Sequence, residues 1–254
     1  YGAAVEAINA YFDKFPKPMK EKHARYIRGV SLYRTGQPME ALRDLNIILN
    51  DWTSEYTENT LLTAAALYLD LEEYNEAIVH LKKLEITTAD KENYNYAVTN
   101  LMRCYFEIRD LDQVTKYARL IKDDSRSSEK EIAKAHLYSA RAMLQERNIA
   151  AAMKELNLAA KSQTAVGAEA RYRMGQLQYE NKEYDKAQKT AFDVVNNMGE
   201  YDYWVAKSFL LLADTYAAKG NKLQAKSTLE SVIANYEEDD DVIPSAKARL
   251  QKLK

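Results

Sequence analysis

The segment RYIRGVSLYRTGQPMEALRDLNIIL, residues 25–49, contains two helical patterns joined by a short break. The break is Thr35-Gly36-Gln37-Pro38, where glycine can take the left-handed conformation that ends one helix and proline suits the first turn of the next. After the break, apolar residues recur at intervals of three and four residues from Ala41 to Leu49, which is typical of an amphipathic helix. The segment therefore predicts two helices that pack against each other.

The same arrangement recurs along the chain at intervals of 36, 37, 38, 35 and 38 residues. The residues that match Ala41 in successive units are Ala41, Ala77, Val114, Ala152, Ala187 and Ala225. The residues that match Gly29 in the first helices are Gly29, Ala65, Met102, Ala140, Gly175 and Ala213. A small residue in the first helix lets the neighbouring helices approach closely, so Met102 is a departure from the pattern. Val114, in place of alanine in the second helix, is another departure, and both lie in the third unit. The near-constant period predicts a repeat protein in which each unit packs on the next.

Further signals mark where helices begin. Ser128 and Glu131 have the spacing of a capping box, which opens the first helix of the fourth unit. Asp110 and Asn148 lie where the N-caps of second helices are expected.

With this period, the chain resembles the tetratricopeptide repeat family over essentially its full length. The family repeat is a pair of helices of 34 residues. The resemblance implies an all-α fold, a right-handed α-α superhelix of about six helix pairs in a single solenoid over residues 1–254. The expected repeats are 22–57, 58–93, 94–131, 132–166, 167–204 and 205–238.

The two ends of the chain differ from a complete repeat. Residues 1–16, with Ala4, Ile8, Tyr11 and Phe12 at helical spacing, match a second helix whose own first helix is missing. This pattern predicts a truncated repeat of a longer protein. Its uncovered apolar stripe is expected either to favour weak self-association through residues 1–15 or to pack irregularly on Tyr26 and Tyr33. Residues 243–254 are expected to form a helix that caps the last repeat.

Composition and charge exclude several classes of function. The chain has 36 basic and 38 acidic residues in 254, a formal net charge of −2, and no basic stripe of the kind that nucleic-acid binding requires. No apolar run approaches the length that spans a membrane. The single cysteine, Cys104, excludes an internal disulfide, and its apolar neighbours predict a buried, unreactive thiol.

The sequence also lacks the patterns of a catalytic or metal site. His23, His80 and His136 are each separated by more than one repeat, and distance along a solenoid becomes distance in space. The sequence contains no metal-ligand spacing, no nucleophile with an adjacent base and no glycine-rich phosphate loop. We therefore expect no catalytic residue, no metal and no cofactor, and predict that the chain is not an enzyme.

A candidate binding surface lies on the first helices, away from their core-facing stripe. The resemblance implies that this face lines a concave groove, and tyrosine and arginine are the residues that dominate binding hot spots. The candidate residues are Tyr26, Tyr33, Arg34, Tyr96, Asn100, Arg103, Phe106, Arg141, Tyr172, Gln176 and Tyr179. The alternative is that these side chains only pack between adjacent first helices.

The resemblance implies a non-catalytic scaffold that binds a protein or peptide in this groove. One alternative is a regulatory or substrate-presenting region of an enzyme whose catalytic domain lies elsewhere, and another is a glycan-binding module. Residues 11–16, which end in Lys14-Phe15-Pro16, are similar to repeat endings in bacterial envelope proteins of the outer-membrane assembly lipoprotein and Tol–Pal partner type. This similarity implies a periplasmic or outer-membrane-associated fragment of a larger protein, with a cytoplasmic setting left open.

Overall fold

The structure, a computed structural model, describes residues 1–50 and 55–253. Within these residues the chain forms fourteen α-helices and no strand. The helices are α1 (Gly2–Lys14), α2 (Glu21–Arg34), α3 (Pro38–Leu49), α4 (Thr57–Asp70), α5 (Tyr74–Thr87), α6 (Lys91–Glu107), α7 (Leu111–Asp123), α8 (Glu129–Gln145), α9 (Ile149–Ala159), α10 (Ala165–Glu180), α11 (Tyr184–Asn197), α12 (Asp202–Ala218), α13 (Lys222–Asn235) and α14 (Val242–Lys252). Residues 51–54 of the first predicted repeat, and Lys254 of the predicted capping helix, lie outside the described residues.

The helices pack in consecutive pairs. Helices α2 and α3, α4 and α5, α8 and α9, α10 and α11, and α12 and α13 form extensive contacts within each pair, and Tyr105 of α6 stacks on Tyr117 of α7. Helix α1 packs on α2, and α14 packs on both α12 and α13. The predicted all-α architecture of six helix pairs, with a lone helix before and after them, is confirmed.

The contacts divide the chain into two compact units. Unit 1, Tyr1–Ile121, contains α1 to α6 and most of α7. Unit 2, Lys122–Lys254, contains α8 to α14. Helices α6, α8 and α12 begin three residues before the predicted repeat limits at 94, 132 and 205. For α6 and α8 the start is fixed by side-chain caps, because Asp90 and Ser128 accept hydrogen bonds from the backbone of Asn93 and Glu131.

The periodic small residues lie in the core of each pair. All six residues that match Ala41 are completely buried, including Val114. A Cβ atom at Gly29 would lie 2.9 Å from Cδ2 of Leu45, and one at Gly175 would lie 2.8 Å from Cδ2 of Leu211. Both distances are shorter than ordinary carbon contacts, so a glycine at this position allows close packing against α3 in one case and α12 in the other.

The turn between paired helices is the same in all six pairs. One residue in each turn has a positive φ, between 58° and 83°. These residues are Gly36, Glu72, Arg109, Arg147, Lys182 and Gly220. The residue that follows donates its backbone N–H to the carbonyl five residues back, as Gln37 does to Leu32 at 2.9 Å and Asn148 to Met143 at 2.8 Å. This is the Schellman arrangement, and it satisfies carbonyl groups that the helix end leaves free.

The residue after the left-handed position also begins the second helix. Asp110 accepts a hydrogen bond from the N–H of Gln113, and Asn148 accepts one from Ala151. The N-cap roles predicted for Asp110 and Asn148 are therefore confirmed, as is the capping box of Ser128 and Glu131. A break of three residues thus ends one helix and starts the next.

The left-handed turns generate the first prediction. For a residue other than glycine, the left-handed conformation lowers the stability of the folded state by roughly 1–2 kcal/mol. Glycine adopts it without this strain, but glycine also loses more conformational entropy when the chain folds. We expect Lys182→Gly to raise the free energy of unfolding by about 0.5–1 kcal/mol, measured by urea denaturation. The matched control is Lys189→Gly, at an exposed position inside α11, which should lower it by about 1 kcal/mol. Equal destabilisation by both variants would contradict the turn analysis.

Candidate functional site

The structure distributes the predicted binding residues over four first helices. Unit 1 contains Tyr26, Tyr33 and Arg34 on α2 and Tyr96, Asn100, Arg103 and Phe106 on α6, whereas unit 2 contains Arg141 on α8 and Tyr172, Gln176 and Tyr179 on α10. Arg34 and Arg103 are exposed, and Phe106 and Tyr172 are buried, each with only 7% of its surface accessible. The other predicted residues are half-buried.

Three of these residues meet at one cavity in unit 1. Tyr33, Arg34 and Tyr96 line a space of about 270 Å³ between α2, α4 and α6. The rest of the lining is largely apolar and consists of Val30, Leu62, Thr63 and Ala66. The cavity therefore combines aromatic and aliphatic walls with one exposed guanidinium.

A hydrogen bond between neighbouring first helices orders this cavity. The hydroxyl of Tyr33 donates to Asp70, the last residue of α4, and this bond raises the pKa of Tyr33 to about 12. Burial raises the pKa of Tyr96 above its ordinary value, so both phenols are neutral at physiological pH. The guanidinium carbon of Arg34 lies 5.9 Å from the centre of the Tyr33 ring. Among the described residues, no carboxylate forms an ion pair with Arg34.

Two of the predicted residues pack in the core, which is the alternative to binding. Tyr172 lies 5.6 Å from Trp204, ring centre to ring centre, in a cluster with Leu211 and Leu212, and burial raises its pKa to about 12. Phe106, in unit 1, is buried to the same extent. A partner cannot contact a side chain that the fold already covers, so neither residue belongs to an accessible surface.

Three of the remaining predicted residues make local contacts. Tyr26 stacks on Tyr56 with ring centres 5.6 Å apart. The side-chain amide of Asn100 donates to the backbone carbonyl of Tyr96 at 2.8 Å. Tyr179 packs against Tyr184 with ring centres 5.5 Å apart, where burial raises the pKa of Tyr179.

Sequence reasoning missed Asp70 and the apolar wall residues Leu62 and Ala66. Asp70 lies 36 residues after Arg34, in the same place of the next first helix. The repeat period alone could have identified it as a groove residue, because equivalent positions of adjacent first helices lie side by side. The wall residues carried no signal, since aliphatic side chains on a first helix equally predict core packing.

The three histidines each have a local hydrogen-bond partner. His23 Nδ1 lies 2.9 Å from the Tyr56 hydroxyl, and His136 Nδ1 lies 2.7 Å from Oε2 of Glu155. His80 is buried, which lowers its pKa, and its Nδ1 lies 2.8 Å from the carbonyl oxygen of Glu76. Within residues 1–50 and 55–253, no group of three histidine, cysteine or carboxylate side chains is placed to hold a metal ion.

Cys104 is fully buried, and burial raises the pKa of its thiol to about 11. The prediction that Cys104 is buried is confirmed, and its lack of reactivity stays a prediction. In the part of the chain that the structure describes, each helix is too short or too polar to cross a membrane.

The burial of Tyr172 generates the second prediction. We expect Tyr172→Ala to lower the free energy of unfolding by about 3 kcal/mol, because truncating a buried aromatic leaves a cavity. Arg34→Ala removes an exposed side chain and should change it by less than about 0.5 kcal/mol. Chemical denaturation of both variants checks this difference, and a similar small effect for both would contradict the assignment of Tyr172 to packing.

Comparison with known proteins agrees with the fold of paired helices. The family model of the tetratricopeptide repeat matches residues 169–195 and 207–239, which lie within α10–α11 and extend from α12 to just beyond α13. A search of curated protein sequences finds no significant relative.

Solved structures resemble the chain more widely. A tetratricopeptide repeat protein from Parabacteroides merdae ATCC 43184 is 16% identical, with a TM-score of 0.63 over 96% of this chain and 90% of its own. BtubC from P. vanneervenii is 14% identical, with a TM-score of 0.59 over 87% of this chain and 94% of its own. PilW, a type IV pilus biogenesis factor, is 16% identical, with a TM-score of 0.58 over 89% of this chain and 99% of its own. At these identities the similarity concerns the fold.

Proposed function

We propose that this chain, which has the tetratricopeptide repeat fold and two segments that match the family's repeat, is a non-catalytic scaffold that binds a protein or peptide partner on its first helices. The observation that carries the proposal is the cavity of unit 1, where Tyr33, Arg34 and Tyr96 surround an apolar floor. A convergence of tyrosine and arginine around apolar surface has the composition of a binding hot spot.

The chemistry of the cavity favours a particular kind of ligand. Arg34 is exposed and presents donors that match a carboxylate in two parallel hydrogen bonds. Tyr33 is held by Asp70, so less side-chain freedom is lost when a partner binds. The apolar wall from α4 suits an aliphatic or aromatic side chain. We therefore infer an extended segment that carries an acidic residue next to an apolar one.

The third prediction tests this surface with peptides selected from a random displayed library against the unaltered chain. The double variant Arg34→Ala/Tyr96→Ala should bind the selected peptides about tenfold more weakly or worse, because hot-spot truncation commonly costs more than 1.4 kcal/mol. The matched control is Arg119→Ala/Tyr74→Ala, which removes the same residue types from second helices of unit 1. Binding is measured by isothermal titration calorimetry.

Two outcomes contradict the proposed surface. In the first, the selected peptides bind Arg34→Ala/Tyr96→Ala as tightly as the unaltered chain. In the second, the control loses the same affinity, which would indicate a general effect on the fold. Melting temperatures of both variants, recorded alongside, separate lost binding from lost structure.

We also propose a periplasmic or outer-membrane-associated setting, on the similarity of residues 11–16 to envelope repeat proteins. The fourth prediction is that fractionation of the native cells, followed with an antibody against this chain, finds the protein in the periplasmic or outer-membrane fraction. Recovery with a cytoplasmic marker enzyme would contradict the setting and leave the proposed binding surface intact.

A further inference from the structure

Unit 2 contains a second cavity, at the end of the hairpin formed by α12 and α13. Its volume is about 380 Å³, and it is separate from the candidate surface of unit 1. The floor is apolar and includes Val205 and Phe209 from α12 and Val232 from α13. A space of this size can enclose one large side chain of a partner.

An aromatic ring forms one edge of this cavity and is held in place. Tyr236, the C-cap of α13, donates its backbone N–H to the carbonyl of Val232 at 3.0 Å. Its hydroxyl donates to Oδ2 of Asp240 at 2.5 Å, and Oδ1 of Asp240 accepts the N–H of Val242 at 2.8 Å. The Tyr236 ring is therefore fixed between α13 and the start of α14.

Three carboxylates surround the apolar floor. Asp202 at the start of α12 and Glu237 and Glu238 after α13 all line the cavity and are exposed. Among the residues that the structure describes, none forms an ion pair or hydrogen bond with these three side chains. The cavity therefore combines an apolar and aromatic interior with uncompensated negative charge, which complements a cation on an apolar stem.

In the preceding repeat, an arginine side chain lies at the position that corresponds to this cavity. A shift of 38 residues relates α10 and α11 to α12 and α13, so Phe209, Ser231 and Tyr236 of the cavity correspond to Arg171, Asp193 and Met198. Arg171 Nε lies 3.0 Å from Oδ2 of Asp193, and its Nη1 lies 2.6 Å from the sulfur of Met198. Its side chain is only 13% exposed. A guanidinium of the chain itself thus occupies, one repeat earlier, the place that corresponds to the cavity.

We propose that the cavity between α12 and α13 binds an arginine side chain of a protein partner. The planar guanidinium stacks on the aromatic rings of Phe209 and Tyr236, which also enclose its aliphatic stem. Glu237, Glu238 and Asp202 accept its hydrogen bonds at the rim, and bonds between ionised groups are roughly twice as strong as those between neutral groups. In the sixth repeat Phe209 replaces the arginine of the preceding repeat and Ser231 replaces its aspartate partner, so the place is open to a partner and the carboxylates come from Asp202, Glu237 and Glu238 instead.

The fifth prediction uses two peptides as probes, acetyl-Gly-Gly-Arg-Gly-Gly-amide and the same peptide with norleucine for arginine. Titration of the whole, isotopically labelled chain should move amide signals of residues 205–209 and 231–238 with the arginine peptide and leave them unmoved with the norleucine peptide. Glu237→Gln/Glu238→Gln should weaken binding by about tenfold. The matched control is Glu200→Gln, the position equivalent to Glu238 one repeat earlier, which should bind unchanged.

A second variant tests the internal precedent. Phe209→Arg/Ser231→Asp introduces the arginine–aspartate pair of the preceding repeat, and it should fill the cavity and abolish peptide binding, with the melting temperature recorded to show that the variant is folded. The proposal is overturned if the norleucine peptide produces the same shifts, or if binding is unchanged in Glu237→Gln/Glu238→Gln. It is also overturned if the filled variant, with its melting temperature retained, still binds the arginine peptide.

Discussion

The three-residue turn between paired helices is the constraint on which the rest of this structure depends. In every pair, one left-handed residue reverses the chain, and five residues later a small or β-branched side chain enters the core completely buried. Because the turn is short and its hydrogen bonds are the same each time, the second helix begins at a fixed distance from the first. The intervals between left-handed residues therefore equal the intervals between core anchors, and the repeat is set by backbone geometry as much as by sequence.

One position on the second helix, three residues after the buried anchor, has a polar side chain that differs among the first four pairs. It is occupied by Asp44, His80, Tyr117 and Glu155, and each of them contacts different partners. Asp44 is almost completely buried and binds Arg25 at 2.8 Å and Arg28 at 2.6 Å, and both guanidiniums lie over Phe12 of α1. Because a buried carboxylate is costly unless it is paired, these arginines join α1, α2 and α3. In unit 2 the equivalent Glu155 accepts from Lys122 and His136, which lowers its pKa.

Equivalent positions in the repeat do not have equivalent roles. Tyr26 and Tyr172 occupy the same place in the first and fifth first helices, yet Tyr26 is half-buried against Tyr56 and Tyr172 is buried against Trp204. The difference comes from the side chain that the next repeat contributes. Arg171 and Phe209 also occupy equivalent positions and differ in their surroundings. The guanidinium of Arg171 is paired within the chain, whereas Phe209 lines a cavity. Binding surfaces in such a fold arise where the neighbouring repeat leaves a place unfilled.

The sequence by itself determined the period, the helix pairs, the buried anchors and the N-caps, because each of these depends on residues within one repeat. It identified Tyr33, Arg34 and Tyr96, which share one cavity, but it could not separate them from Phe106 and Tyr172, which the fold buries. The sequence did not predict that charged residues such as Arg147 and Lys182 adopt the left-handed conformation, because glycine is the residue that indicates it in a sequence. Those features were decided by tertiary structure, because exposure, backbone strain and open cavities depend on what the adjacent helices place against each residue.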